Sequence, residues 1–201
     1  MSQLRYFLIY KPFGTLSQFT PEAGHPGLGE LHNFPSDVYP VGRLDRDSEG
    51  LLFLTNDKRL NHRLLDPKYA HNRTYWAQVE GEATPEALEQ LQRGVDIKHK
   101  GKVHRTRPAK ARLLSPAPTV AERNPPIRFR KSVPDCWIEL TLTEGKNRQV
   151  RKMCAAVGFP CLRLIRVAIG NLELAPLEVG KVTEWQGNKL LPALGLSPAL
   201  D

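Results

Sequence analysis

Asp45, Asp47 and Glu49 stand at alternate positions in VGRLDRDSEGLLFLTN, residues 41–56, with Arg43 and Arg46 beside them. An apolar run, Leu51–Leu54, follows Gly50 directly. Three chemistries use acids so spaced. A calcium loop of the EF-hand kind takes ligands at its positions one, three and five and glycine at six, which fits Asp45, Asp47, Glu49 and Gly50. The match stops there, because position nine is Phe53, position twelve is Asn56 rather than a bidentate glutamate, and the exit reads as a strand. The second chemistry is a structural turn in which Arg43 and Arg46 neutralise the acids. The third is a working carboxylate. An acid held beside arginine stays ionised and serves as nucleophile or base, and arginine suits a cleft that must admit phosphates.

A second group lies in EGKNRQVRKMCAAVGF, residues 144–159. On a helix at about 100° per residue, Val150, Met153, Cys154 and Val157 share one face. Arg148 and Lys152 fall nearly opposite, toward solvent or phosphate. Arg151 sits at the boundary, where its stem packs while its head reaches sideways. The helix start, with free N–H groups and Lys146, is a place for an anion; the plain alternative is an amphipathic surface helix. Tyr75, in NRTYWAQV, shares a strand face with Ala77 and Val79. It reads either as a core tyrosine or as a pocket residue that stacks under a base and relays a proton.

Charge narrows the partner. The net charge is +8, and between Lys98 and Lys131 there are eleven Lys or Arg and one acid, Glu122. Lys100, Lys102, Arg105 and Arg107 belong to that stretch. Six more cations and no acid run from Lys146 to Arg166. Such clustering is the footprint of a polyanion-binding surface, and nucleic acid is the expected partner. The basic stretches lack the apolar face of an interfacial helix, which argues against anionic lipid. No apolar run approaches the roughly 18 residues of a membrane span, and the start, MSQLRYFLIYKP, is not a signal peptide. The six histidines lack ligand spacing, and Cys136, Cys154 and Cys161 form neither a CxxC pair nor an even set. No metal and no disulfide framework is expected, and a reducing cytoplasm is.

The elements that must position these residues read as α+β. Strands are expected at 4–10, 38–43, 51–55, 73–81, 136–145 and as a pair within 160–174. Helices follow Asn56 or Asp57 up to Leu65, follow Thr84 and Pro85 up to Gly94, and run for about ten residues from an Asn147 cap. Residues 104–114 read as one strand carrying basic side chains on one face, and the Pro-rich 115–134 as an exposed insertion. With no βαβ rhythm and no Gly-rich phosphate loop, a mixed or antiparallel sheet with helices against it is the natural architecture.

YKPFG, VGRLDRDSEGLLFLTND, RTYWAQVEG and EGKNRQVRKM, in that order, resemble the motifs of bacterial ribosomal pseudouridine synthases of the RsuA type. The resemblance runs from about residue 10 to 175. It implies a mixed, largely antiparallel sheet in two halves with flanking helices and a central RNA-binding cleft, within one catalytic domain spanning 1–201. It implies no cofactor, Asp45 as the essential aspartate, Tyr75 as the active-site tyrosine, and Arg151 as the cation that pairs with the aspartate. Arg43 matches the arginine that helps extrude the target nucleotide. Most members carry an N-terminal S4-type RNA-binding domain, whereas here the catalytic strand begins at Arg5. That places the chain with members acting on large-subunit (23S) ribosomal RNA, as a monomer, and leaves RNA contacts to Arg43, Arg46, the basic 98–131 stretch, Lys146, Arg148 and Lys152.

Overall fold

The computed structural model describes residues 3–127 and 133–196. In chain order the elements begin with β1 (Tyr6–Lys11), β2 (Tyr39–Pro40), β3 (Glu49–Thr55), α1 (Lys58–Leu65), β4 (Arg73–Glu80), α2 (Pro85–Arg93), β5 (Asp96–His99) and β6 (Lys102–Arg105). They continue with β7 (Lys110–Leu113), β8 (Asp135–Leu142), α3 (Gln149–Ala156), β9 (Cys161–Ile169), β10 (Leu172–Glu173), β11 (Val182–Trp185) and α4 (Gly187–Ala193). The class is α+β with a mostly antiparallel open sheet. The chain divides into two compact units, Met1–His71 with Arg166–Asp201, and Asn72–Ile165.

In the first unit β1 pairs antiparallel with β3 on one side and β11 on the other, with Leu8 opposite Phe53 and Lys11 opposite Gly50. Every residue of YFLIYK and EGLLFLT is buried, which explains why both strands read as continuous runs rather than alternating ones. Each fully buried Leu, Ile or Phe there contributes about 1.5–3 kcal/mol. Asp57 starts α1 by accepting hydrogen bonds from the Arg59 and Leu60 N–H groups, and Leu60 and Leu64 turn inward. The Asp57 carboxylate also accepts from the Tyr6 hydroxyl at 3.2 Å. Burial and that neighbouring charge push the Tyr6 phenol up to about 12.

In the second unit β4 pairs with β8 along eight residues, and β7 extends the pair beyond β8. Tyr75 lies opposite Leu140, Ala77 opposite Ile138 and Val79 opposite Cys136. That face packs with Leu91 of α2 and with Val150, Met153 and Cys154 of α3. Thr84, Pro85 and Gly94 bound α2 as expected, the Thr84 Oγ1 accepting from the Ala87 N–H and Gly94 lying at φ 84°.

Four local expectations change. Of residues 38–43 only Tyr39–Pro40 is strand, while β3 begins two residues early, so Glu49 and Gly50 belong to the strand and not to the turn. Residues 104–114 break into β6 and β7, since Pro108 has no N–H for a ladder and the buried Thr106 turns in to accept from the Val95 N–H. The α3 cap is Arg148, in a left-handed conformation at φ 52°, rather than Asn147, and the helix is eight residues long. Residues 115–127 carry no regular element, as expected of an insertion, and 128–132 lie outside the described residues. In β8, Ile138 lies on the core face opposite Ala77, and Trp137 on the other face opposite Gln78.

Gly50 is the tightest backbone crossing in the first unit. Its φ is 105°, and a Cβ there would lie 2.3 Å from the Arg166 carbonyl oxygen. Gly50→Ala is expected to cost roughly 3 kcal/mol, from left-handed strain together with overpacking. Gly145→Ala, where a Cβ meets nothing within 4 Å, is expected to stay within about 0.5 kcal/mol of wild type. Urea midpoints of the two variants check the difference.

Candidate active site

The acidic loop of the first unit is built around a buried cation. Lys11, the last residue of β1, is 0% exposed. Its ammonium donates to the carbonyls of Pro12 at 3.0 Å, Thr15 at 2.7 Å and Arg46 at 3.4 Å. The negative charges acting on it are those of Glu49, Asp47 and Asp45, in falling order. Burial lowers the Lys11 ammonium to about 8 against their opposing pull. The three acids therefore have a structural reason to be there. A charge taken out of water must be hydrogen-bonded and matched, and Lys11 is both.

The loop backbone is fixed from several sides. The Arg46 carbonyl also accepts from the Gly14 N–H at 2.9 Å, and the Ser48 N–H donates to the Asp45 carbonyl at 3.0 Å. Ser17 grips the residue before Asp45 in both directions: its Oγ donates to the Leu44 carbonyl at 2.7 Å and accepts from the Leu44 N–H at 3.0 Å. Leu44, Ser48, Glu49 and Gly50 are buried, whereas Asp45 and Asp47 keep partial exposure. Asp45 is thus a partly exposed acid on a backbone held by hydrogen bonds from several sides. Arg43 and Arg46 are exposed, and the Arg46 guanidinium meets the His25 ring. On the far side of Gly50, the buried Arg166 Nε donates to the Leu51 carbonyl at 2.7 Å.

The second unit holds Tyr75 and Arg151. Tyr75 is partly buried and packs against the β4–β8 core. Arg151, on α3, is partly buried, and its Nη1 donates to the Cys161 carbonyl at 3.0 Å. Its neighbour on that helix, Cys154, is fully buried, and burial pushes its thiol well above the ordinary value. That makes it a core residue rather than a nucleophile. Gln149, buried at the first turn, accepts from the Lys146 N–H at 2.8 Å and donates to Glu144.

The expected phosphate contacts divide by face. Lys102 lies opposite His99 on the β5–β6 hairpin, and Lys100 occupies its turn at φ 49°. Arg105 lies opposite Asp96 and pairs with it at 3.6 Å. Arg107 donates its backbone N–H to Glu144 at 2.8 Å. Lys146 and Arg148 are exposed and Lys152 is half-buried. Among the described residues no group of three His, Cys, Asp or Glu is arranged to hold a metal ion. The sequence reading passed over Lys11, Ser17 and His25. A lysine ending an apolar strand just before Pro-Phe-Gly was the one available signal.

Residues 5–156 match the RNA pseudouridylate synthase family. The chain is 53% identical over 172 residues to ribosomal large subunit pseudouridine synthase E of Xanthomonas axonopodis pv. citri, covering 85% of this chain and 88% of the relative. It is 39% identical over 180 residues to ribosomal large subunit pseudouridine synthase B of Bacillus subtilis, covering 89% and 67%. Among solved structures, a crystal structure of pseudouridylate synthase superposes with a TM-score of 0.76 at 26% identity, covering 94% of this chain and 74% of that one.

The folded protein holds the Lys11 proton less tightly than the unfolded chain does. Stability therefore rises with pH between about 8 and the ordinary lysine value, because only the unfolded chain still gains from the proton there. In Lys11→Met that rise is expected to shrink by about 3 kcal/mol. Denaturant unfolding at pH 7.5 and 10, wild type beside variant, measures it.

Proposed function

Because the chain belongs to the RNA pseudouridylate synthase family, we propose that it converts a uridine of large-subunit ribosomal RNA to pseudouridine, with Asp45 acting on the flipped-out nucleotide. The observation that carries this reading is the loop itself. Its backbone is tied to Lys11, Gly14 and Ser17, yet it leaves Asp45 partly exposed. A reacting group must be held within a fraction of an ångström on a rigid support, and buried Leu44 and Ser48 on either side provide one. The substrate assignment is supported by relatives named for the large subunit at 53, 51, 46 and 44% identity.

The isomerisation breaks N1–C1′, turns the base and joins C5 to C1′; the C5 proton leaves to solvent and N1 takes one up. Atoms and oxidation level balance without a second substrate. A stacked or paired uridine must first be extruded, at a cost of a few kcal/mol. Arg43, exposed beside the loop, is the residue assigned to that step. Asp45 acts on the extruded nucleotide as nucleophile or base. Tyr75, partly exposed, is proposed to stack on uracil, and Arg151 supplies positive charge from a side chain already steadied by the Cys161 carbonyl. Arg46, Lys100, Lys102, Arg105, Arg107, Lys146, Arg148 and Lys152 are proposed to meet phosphates. The three free cysteines suit a reducing compartment, which supports a cytoplasmic site of action.

Release of tritium from C5-labelled uridine in large-subunit RNA tests the reading. Wild type is expected to release it with formation of pseudouridine, and Asp45→Asn to lose activity on the order of 10⁴-fold. Retained isomerisation in Asp45→Asn would overturn the assignment. For Tyr75 the stacking role predicts that Tyr75→Ala loses about 5–150-fold in rate, from 1–3 kcal/mol of base stacking. Tyr75→Phe should keep the stacking share, and equal losses in the two variants would place the hydroxyl, not the ring, at work.

A further inference from the structure

Within the second unit, one side of the β5–β6 hairpin gathers cations from three separate stretches. The hairpin register puts Ile97, His99, Lys102 and His104 on one side, and Asp96, Lys98, Val103 and Arg105 on the other. Ile97 is buried, which turns its side toward the protein. The His99 and His104 rings meet edge to face at 6.4 Å between centroids. The charges acting on His99 are those of Lys146 before α3, Lys152 on α3, Lys100 at the hairpin turn, and His104.

The one acid at this place is already committed. Glu144 accepts from the Arg107 N–H at 2.8 Å and Gln149 Nε2 at 2.7 Å, and pairs with His104 Nε2 at 3.2 Å. Its carboxyl is partly buried, a cost that these hydrogen bonds outweigh, so it stays below the usual carboxylate range. Glu144 is therefore a clamp between the hairpin, the segment after it and the first turn of α3. It is not a counterion for the lysines. Among the described residues none of Lys100, Lys102, Lys146 and Lys152 forms an ion pair, in contrast to Arg5, Lys68, Arg93 and Arg112. Like charges held together by a rigid clamp are what a polyanion relieves.

We propose that this face docks the phosphates of double-helical RNA flanking the target uridine, and that docking takes up a proton on His99. The inference rests on the RNA-modifying reading above and names the part of the substrate that this surface grips. Base stacking is not its means, because neither 95–107 nor 143–152 contains Phe, Tyr or Trp. Without stacking platforms, single strands lose their main source of affinity, whereas duplex RNA is held through shape and backbone phosphates.

The proton follows from the same charges. In the free protein, desolvation and then the repulsion of Lys146, Lys152, Lys100 and His104 lower His99 from its ordinary value and disfavour its charged form. A phosphate seated among those cations offsets their repulsion and raises His99 again. Binding then takes up a proton, and affinity rises as pH falls from 8 toward 6.

The experiment measures affinity of the full chain for an RNA hairpin with a stem of about 16 base pairs, against salt and pH, beside a single strand of equal phosphate number. Lys100→Gln/Lys146→Gln/Lys152→Gln is expected to flatten the slope of log affinity on log salt by roughly 2–3. Lys189→Gln, a surface change in the other unit, should leave the slope unchanged. His99→Gln should abolish the extra affinity that wild type gains between pH 8 and 6. An unchanged slope in the triple variant, an equal loss in Lys189→Gln, a pH response surviving in His99→Gln, or equal binding of the single strand would each overturn the proposal. Tritium release by the same proteins separates the two readings. If wild type isomerises the RNA, Asp45→Asn does not, and the triple variant binds as wild type, the docking surface alone is wrong. If wild type isomerises no uridine, the catalytic reading fails first.

Discussion

One ammonium group, that of Lys11, organises the first unit. It sits at the end of β1, out of water, in a cradle of three carbonyl oxygens. Such a charge is tolerated only where oxygens and opposite charge surround it. Two of those carbonyls belong to segments otherwise unconnected in sequence, Thr15 and Arg46, so satisfying the lysine brings the loop after β1 and the loop before β3 together. Asp45, Asp47 and Glu49 then lie where negative charge is favoured. The acid cluster is the partner of a buried base, and two of its members, Asp45 and Asp47, keep partial exposure.

The same arrangement explains the neighbours. Lys11 lies opposite Gly50 in the β1–β3 register, where a side chain on the facing residue would strike the Arg166 backbone. Glycine at 50 lets the strands close, and closure is what puts Lys11 within reach of Arg46. Ser17 adds a two-way grip on Leu44, one residue before Asp45. In the second unit Glu144 plays a comparable part with opposite sign. It is a partly buried carboxylate whose three donors fix the hairpin against α3 and leave the surrounding lysines outside any ion pair among the described residues.

Much of this was legible in the sequence. The continuous apolar runs of β1 and β3, the alternation of β4 and β8, and the Thr84-Pro85…Gly94 punctuation of α2 each follow from local chemistry. Val150, Met153 and Cys154 face inward on α3 as their spacing requires. Where reading failed, a contact distant in sequence decided the outcome. Thr106 and Pro108 interrupt what alternation alone presents as one strand, because Thr106 serves the Val95 N–H eleven residues back. Arg148 takes the left-handed cap position that Asn147 suits better by propensity, and the buried Gln149 reaches back to Lys146 there. The burial of Lys11 was hidden for the same reason, since YKPFG does not announce that Arg46 and three acids close over it. The motifs identified the family; the cradle that gives the acidic motif its shape needed the fold.

The account stands or falls on whether the buried lysine holds the loop in a working geometry. Single-turnover pseudouridine formation at saturating RNA, compared between wild type and folded Lys11→Met at pH 7, measures this. The account predicts that the variant binds the RNA as tightly as wild type and isomerises it far more slowly. A folded Lys11→Met that reacts at the wild-type rate would contradict it.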